Sequence, residues 1–205
     1  MDHLLKIALE FENKVQGTTK IYSAGKYQGE YEGQLVDDKA HGMGVAVLVC
    51  GKKHDGFWVN GLPHGKGIVT LANGTKYEGD FEYGIAHGKC IFTMANGTKY
   101  EGGLENGKPH GKGIYTFTDG RKYEGDCENG KFHGKGIYTF TDGRTYEGDW
   151  VDSLQHGKGI VTFVDGIKYE GDFENGKQHG KGTITFAEGG KYEVHSENGK
   201  LLEIV

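Results

Sequence analysis

The chain has 205 residues, a formal net charge of −5, and 38 glycines against only two prolines. Glycine at about one residue in five without matching proline excludes a collagen-type triplet, and 12% aromatic content excludes a flexible linker. The acidic balance, with no Lys/Arg cluster, argues against nucleic-acid binding and weakens attachment to anionic membranes, and no run of about 18 apolar residues offers a membrane-spanning helix.

The first residues read in two ways. Ile7-Ala8-Leu9-Glu10-Phe11-Glu12-Asn13 aligns with Tyr169-Glu170-Gly171-Asp172-Phe173-Glu174-Asn175, as a degenerate strand would. Leu4, Ala8, Phe11 and Val15 also fit a helical stripe, so residues 1–16 form either a capping strand or a short helix. Met1 to Glu10 carry no basic leader or small-residue cleavage site, and no secretory signal is expected. Lys20-Ile21-Tyr22-Ser23 then stands as a strand, and Gly25, Tyr27 and Gly29 roughly restore the pattern that follows. Residues 1–30 are thus a degenerate N-terminal unit.

From residue 31 the chain repeats itself every 23 residues through residue 191, seven times. His-Gly recurs at His41, His64, His87, His110, His133, His156 and His179. A second column holds Tyr31, His54, Tyr77, Tyr100, Tyr123, Tyr146, Tyr169 and Tyr192, followed two residues later by glycine until Val194 breaks the series. With the turn glycines and the glycine after each His-Gly pair, five columns absorb 33 of the 38 glycines. They mark turns and seats for rings, not flexibility.

Each unit holds two strand-sized segments with period-two alternation, as in Gly113-Ile114-Tyr115-Thr116-Phe117-Thr118 and Arg121-Lys122-Tyr123-Glu124-Gly125-Asp126-Cys127. The joints are Asp119-Gly120 and Glu128-Asn129-Gly130-Lys131, both turn sequences. The spacing predicts an all-β, single-layer antiparallel meander of hairpins. A two-residue turn at Asp119-Gly120 would set Tyr123 opposite Thr116, whereas a three-residue loop with glycine in a left-handed bulge sets it opposite Tyr115. The second register is favoured because it gathers Tyr115, Phe117 and Tyr123 on one face and Ile114, Thr116, Lys122, Glu124 and Asp126 on the other. At about 4.8 Å per strand, each unit advances roughly 9.6 Å, and eight units make a twisted solenoid of order 75 Å. Leu201-Leu202-Glu203-Ile204-Val205 replaces the glycine-rich strand, so residues 192–205 read as a C-terminal cap that closes the last edge.

The candidate chemistry is sparse. Equivalent histidines about 10 Å apart cannot share a zinc ion, whose ligands lie about 2 Å from the metal. Gly-Lys-Gly lacks the Ser/Thr and the following helix of a phosphate loop. Three cysteines, Cys50, Cys90 and Cys127, have no metal-like spacing and suit a reducing compartment. The sequons at Asn73 and Asn96 are better read as turns. No cofactor, small-molecule substrate or catalytic constellation is expected. A single sheet cannot bury a whole aromatic face against itself unless curvature closes it, so that face is either rings packed over glycine or the candidate partner-binding surface. Its members are Tyr77, Tyr100, Tyr115, Phe117, Tyr123, Tyr138, Phe140, Tyr146, Trp150, Phe163, Tyr169 and Phe173.

Tyr123-Glu124-Gly125-Asp126 followed by Asn129-Gly130-Lys131-Phe132-His133-Gly134-Lys135-Gly136 resembles the MORN (membrane occupation and recognition nexus) repeat, and the likeness covers about residues 27 to 199. The resemblance implies a non-catalytic scaffold. It binds a protein partner through a concave aromatic face, by peptide capture or self-association as a homodimer. Its implied setting is cytoplasmic, at membrane–cytoskeleton junctions or in cilia and flagella. The alternative it implies is a peripheral module for anionic phospholipid, or a regulatory subunit of a lipid-signalling enzyme. Departures are local: Leu104 and Cys127 stand in the slot of Phe81, Trp150 and Phe173, His54 replaces a tyrosine, and Cys90 a glycine.

Overall fold

The structure, a computed structural model, describes residues 20–24 and 27–204, so the choice between strand and helix at residues 1–16 lies outside the described residues. The described chain is all-β and antiparallel. Contacts gather the described residues into two compact units that divide after residue 88. The first holds β1 (Lys20–Ala24), β2 (Tyr27–Val36), β3 (Lys39–Leu48), β4 (Lys53–Val59), β5 (Leu62–Thr70) and β6 (Lys76–Glu82). The unit boundary falls within β7 (Ile85–Thr93). The second unit continues with β8 (Lys99–Glu105), β9 (Lys108–Thr116), β10 (Lys122–Glu128), β11 (Lys131–Thr139) and β12 (Thr145–Val151). It ends with β13 (Leu154–Thr162), β14 (Lys168–Glu174), β15 (Lys177–Thr185), β16 (Lys191–Glu197) and β17 (Lys200–Ile204).

Two turn types alternate, each for a reason written in its residues. Glu128 pairs with Lys131 across Asn129-Gly130, whose φ values of 52° and 84° define a type I′ turn matched to the strand twist. At the other end Phe117 and Arg121 bracket Thr118-Asp119-Gly120. The Phe117 N–H donates to the Arg121 carbonyl at 2.9 Å, and Gly120 takes φ 93°. The Asp119 carboxylate accepts the Arg121 N–H at 3.1 Å and locks the loop. This three-residue loop sets Tyr123 opposite Tyr115 and Lys122 opposite Thr116, the register that segregates aromatic from charged side chains.

Within each unit the glycines form a line across the strands. In the first unit Gly33, Gly44, Gly56, Gly67 and Gly79 pair in succession. In the second the line runs from Gly102 and Gly113 to Gly171 and Gly182, and ends where Gly182 faces Val194. The reason is a close approach: a Cβ on Gly136 would lie 2.5 Å from the Tyr123 hydroxyl and 2.6 Å from its ring. Only bare backbone leaves room for a flat tyrosine.

Beside that line the second strand of the hairpins β2–β3, β4–β5, β8–β9, β10–β11, β12–β13 and β14–β15 carries a bulge. Gly125 faces Gly136 but Asp126 faces His133, so Gly134 and Lys135 are extra residues on β11. The Asp126 carboxylate accepts the Lys135 N–H at 3.2 Å, and Asp149 accepts that of Lys158 at 3.1 Å in the next repeat. The Asp of Tyr-Glu-Gly-Asp therefore caps an amide that the ladder leaves unpaired.

Candidate functional site

The aromatic face is a packed layer. Tyr31, Tyr100, Tyr123 and Tyr146 are fully buried, each lying over a glycine pair. Their hydroxyls turn back to the bulge: Tyr123 donates to the Asp126 carbonyl at 2.6 Å and Tyr146 to that of Asp149 at 2.8 Å. Burial raises the Tyr100, Tyr115, Tyr123 and Tyr146 hydroxyls above the ordinary tyrosine range, so they remain neutral donors. Trp150 stands edge-on to Tyr146 at 5.2 Å, and its indole N–H donates to the Gly136 carbonyl at 3.1 Å. Phe173 bridges repeats, edge-on to Tyr146 and to Tyr169. Phe132 stacks on Tyr123 with ring centroids 3.8 Å apart and planes 9° apart, covering the ring from above.

This packing leaves little of that face accessible. Tyr100, Tyr115, Tyr123, Tyr138, Tyr146, Trp150, Tyr169 and Phe173 are buried, while Tyr77, Phe117, Phe140 and Phe163 are half-buried. The sheet hides its aromatic face by laying rings flat over glycine and edge-on to one another, which needs no second layer. Phe117, Phe140 and Phe163 line the three-residue loops, where Arg121 lies over Phe117 at 4.9 Å and Arg144 over Phe140 at 5.0 Å, whereas Tyr77 stands in the tyrosine column of β6.

The irregular positions fill the same layer. His54 takes the tyrosine slot, edge-on to Trp58 and Phe81, and is 2% exposed. Neither ring nitrogen meets a partner in hydrogen-bonding geometry, the Phe57 backbone adding only a weak pull. Burial and the nearby Lys52 charge lower its pKa to about 4. Cys127 is buried under the aromatic cluster, and burial followed by the Asp126 charge pushes its thiol up to about 11, a protonated and unreactive state at neutral pH.

The opposite face opens a groove of about 1530 Å³ in the second unit, spanning β8 to β17. Its axis crosses the strands. A central row alternates acid and aliphatic residues: Glu101, Ile114, Glu124, Ile137, Glu147, Ile160 and Glu170 face one another in turn, continued by Thr183 and Glu193. Beside it runs a ladder of ion pairs, Lys112–Asp126 at 2.8 Å, Lys135–Asp149 at 2.6 Å and Lys158–Asp172 at 2.7 Å. Lys112, then the amide capping at Lys135, hold the Asp126 carboxyl below its usual range, and Lys135 with the Lys158 amide does the same for Asp149. The concavity therefore lies on the Glu/Ile/Lys face, not on the aromatic one. The acidic column Glu32, Asp55, Glu78, Glu101, Glu124, Glu147, Glu170 and Glu193 was the sequence signal for it, as periodic as the tyrosines.

Three of the repeat histidines approach an acid across the short turn: His110 to Glu105 and His133 to Glu128 at 3.4 Å, and His179 to Glu174 at 3.6 Å. Among the described residues no group of three or more His, Cys, Asp or Glu side chains could hold a metal ion. Among the described residues no helix is long and apolar enough to cross a membrane.

No curated protein matches the sequence. Solved structures of similar fold include the TCP domain of SAS-4 (dCPAP) from Drosophila melanogaster, in complex with a proline-rich motif of Ana2 (dSTIL). It is 13% identical, with a TM-score of 0.51 over 88% of this chain and 96% of that one. The TCP10 domain of Danio rerio CPAP is 12% identical, with a TM-score of 0.48 over 92% and 94%. The MORN repeat profile matches residues 31–48, 54–76, 77–99, 100–120, 123–143, 146–168 and 169–191. With these matches covering most of the chain, and the hairpin register, the bulge and the tyrosine-over-glycine seat recurring 23 residues apart from β10–β11 to β12–β13, the chain belongs to the MORN repeat family.

Proposed function

We propose that the chain is a non-catalytic scaffold that captures an extended segment of a protein partner in the groove of its second unit. The observation that carries this reading is the division of labour between the faces. The aromatic face is consumed by internal packing, whereas the groove face offers repeated polar and aliphatic groups to a ligand. Ile137 is 41% exposed at the groove floor, between Glu147, which makes no ion pair among the described residues, and Glu124, which Lys122 pairs at 2.9 Å. The proline-rich motif held by the fly protein of like fold supports an extended occupant. A groove whose central row carries carboxylates repels anionic headgroups, which weighs against phospholipid as the ligand.

The test compares surface variants for capture of a purified partner identified by affinity isolation. Ile137→Arg and Ile160→Arg should abolish capture while circular dichroism stays unchanged, and Phe140→Ala at the loop edge should leave capture intact. Full capture by both isoleucine variants would remove the groove from the account.

A further inference from the structure

The groove's periodicity and its unpaired charge identify the class of segment it fits, given the reading that it holds a partner. We propose that the occupant is a basic polyproline II segment with Lys or Arg at every third position and proline or another apolar residue between.

Spacing comes first. Carboxylates of the central row recur every second strand, about 9.6 Å apart, with an isoleucine midway at about 4.8 Å as far as Glu170 and Thr183 in that place before Glu193. A polyproline II helix has three residues per turn and a rise of about 3.1 Å, so equivalent side chains recur every 9.3 Å or so. Over the four steps from Glu101 to Glu193 the two lattices slip by only about 1.2 Å. An α-helix repeats a face every seven residues, about 10.5 Å, and slips by about 3.6 Å over the same span. An extended strand presents one face every two residues, about 6.8 Å, and cannot follow the row. In the polyproline register a basic residue sits over each carboxylate, and the next two residues, about 3.1 and 6.2 Å further on, straddle each isoleucine.

Charge comes second. Lys112, Lys135 and Lys158 are neutralised by the aspartates beside the row, and Lys122 pairs with Glu124 at 2.9 Å. Among the described residues Glu101, Glu147, Glu170 and Glu193 make no ion pair. The remaining lysines that line the groove, Lys181 and Lys191, lie at its β15–β16 end. The stretch over β8 to β14 is therefore left with unneutralised carboxylates, and a cationic ligand complements them.

Fluorescence anisotropy with the full chain and a labelled (Arg-Pro-Pro)5 peptide tests the proposal. It should bind at least tenfold more tightly than (Arg-Pro-Pro-Pro)4, whose charges recur about every 12.4 Å, and (Glu-Pro-Pro)5 should not bind. Binding should fall about tenfold in the triple variant Glu101→Gln/Glu147→Gln/Glu170→Gln, and it should weaken as salt is raised. Equal affinity for the three- and four-residue spacings, or indifference to the triple variant, overturns the proposal. If no basic polyproline peptide binds while Ile137→Arg still abolishes partner capture, the occupant is wrong and the groove reading stands. If Ile137→Arg leaves capture intact, the groove reading itself falls. Pelleting of the chain with phosphatidylserine vesicles, lost in the triple variant, would replace the peptide by a membrane and overturn the proposal.

Discussion

His54 makes the β4–β5 region sensitive to mild acid in a way that a single substitution removes. The imidazole lies where seven other repeat positions carry tyrosine, buried between Trp58 and Phe81 with both nitrogens unpaired. Its folded pKa of about 4 is below the ordinary 6.5, so the unfolded chain takes up the proton first. Stability is complete above about pH 7.5, declines as pH falls through 6.5, and the loss is complete only below the folded pKa. At about pH 5 the unfolded imidazole is almost fully charged and the folded one is about nine-tenths neutral, a differential of about 2 kcal/mol. His54→Tyr removes that titration and restores a hydroxyl of the kind that donates to bulge carbonyls at Tyr123 and Tyr146. Amide hydrogen exchange of β4 and β5, measured near pH 7.5 and pH 5 and corrected for intrinsic rates, reads the effect directly. The ratio of variant to wild-type protection should grow about 30-fold between the two pH values. An unchanged ratio would refute the reasoning, because the buried ring would then have no protonation penalty.

Other outcomes follow from the same geometry. Tyr83 holds a left-handed φ of 47° at the first position of a type I′ turn, so Tyr83→Asn should raise the urea midpoint by the equivalent of about 0.5–1 kcal/mol. Gly136→Ala should destabilise by about 3 kcal/mol, since its Cβ would collide with the Tyr123 ring, whereas Gly120→Ala, with open space and φ 93°, should cost only about 1 kcal/mol. Equal losses at the two glycines in urea unfolding would contradict the seating of tyrosine over glycine. Asp149→Asn should cost about 1 kcal/mol in the same assay at neutral pH, by weakening the bonds to Lys135 and the Lys158 amide. Because the Asp126 and Asp149 carboxyls are held low, their contribution is present above the ordinary carboxylate range and is lost as pH falls through their folded pKa values, so acid should narrow the gap between Asp149→Asn and wild type.

Most of the fold was legible because its local signals agree. Asn129-Gly130 demands a type I′ turn, and the clean split of Tyr115 and Tyr123 from Ile114 and Glu124 selects the three-residue loop at Asp119-Gly120. The bulge at Gly134-Lys135 was not legible, since it depends on the Asp126 carboxylate capping a backbone amide on the neighbouring strand. The aspartates that face the bulges supply the carbonyls that accept from the tyrosine hydroxyls, so the sequence showed the rings but not how completely they are hidden. Composition alone makes Tyr123 or Trp150 a natural contact residue. Phe132 lying flat on Tyr123 and Phe173 reaching across repeats remove those surfaces from a partner, and both contacts join residues from different strands. The groove face was visible as an acidic column, but the neutralisation of Lys112, Lys135 and Lys158 by aspartates of the next strand emerges only once the register is known.

The central claim is that the Glu/Ile face binds while the aromatic face holds the sheet together. Nuclear magnetic resonance of the full chain, with labelled isoleucine δ1 methyls and phenylalanine rings, tests it during titration with the captured partner segment. Ile114, Ile137 and Ile160 should shift together and saturably, while Phe117, Phe140 and Phe163 stay in place. Shifts confined to those three phenylalanines, with the isoleucine methyls unmoved, would contradict it.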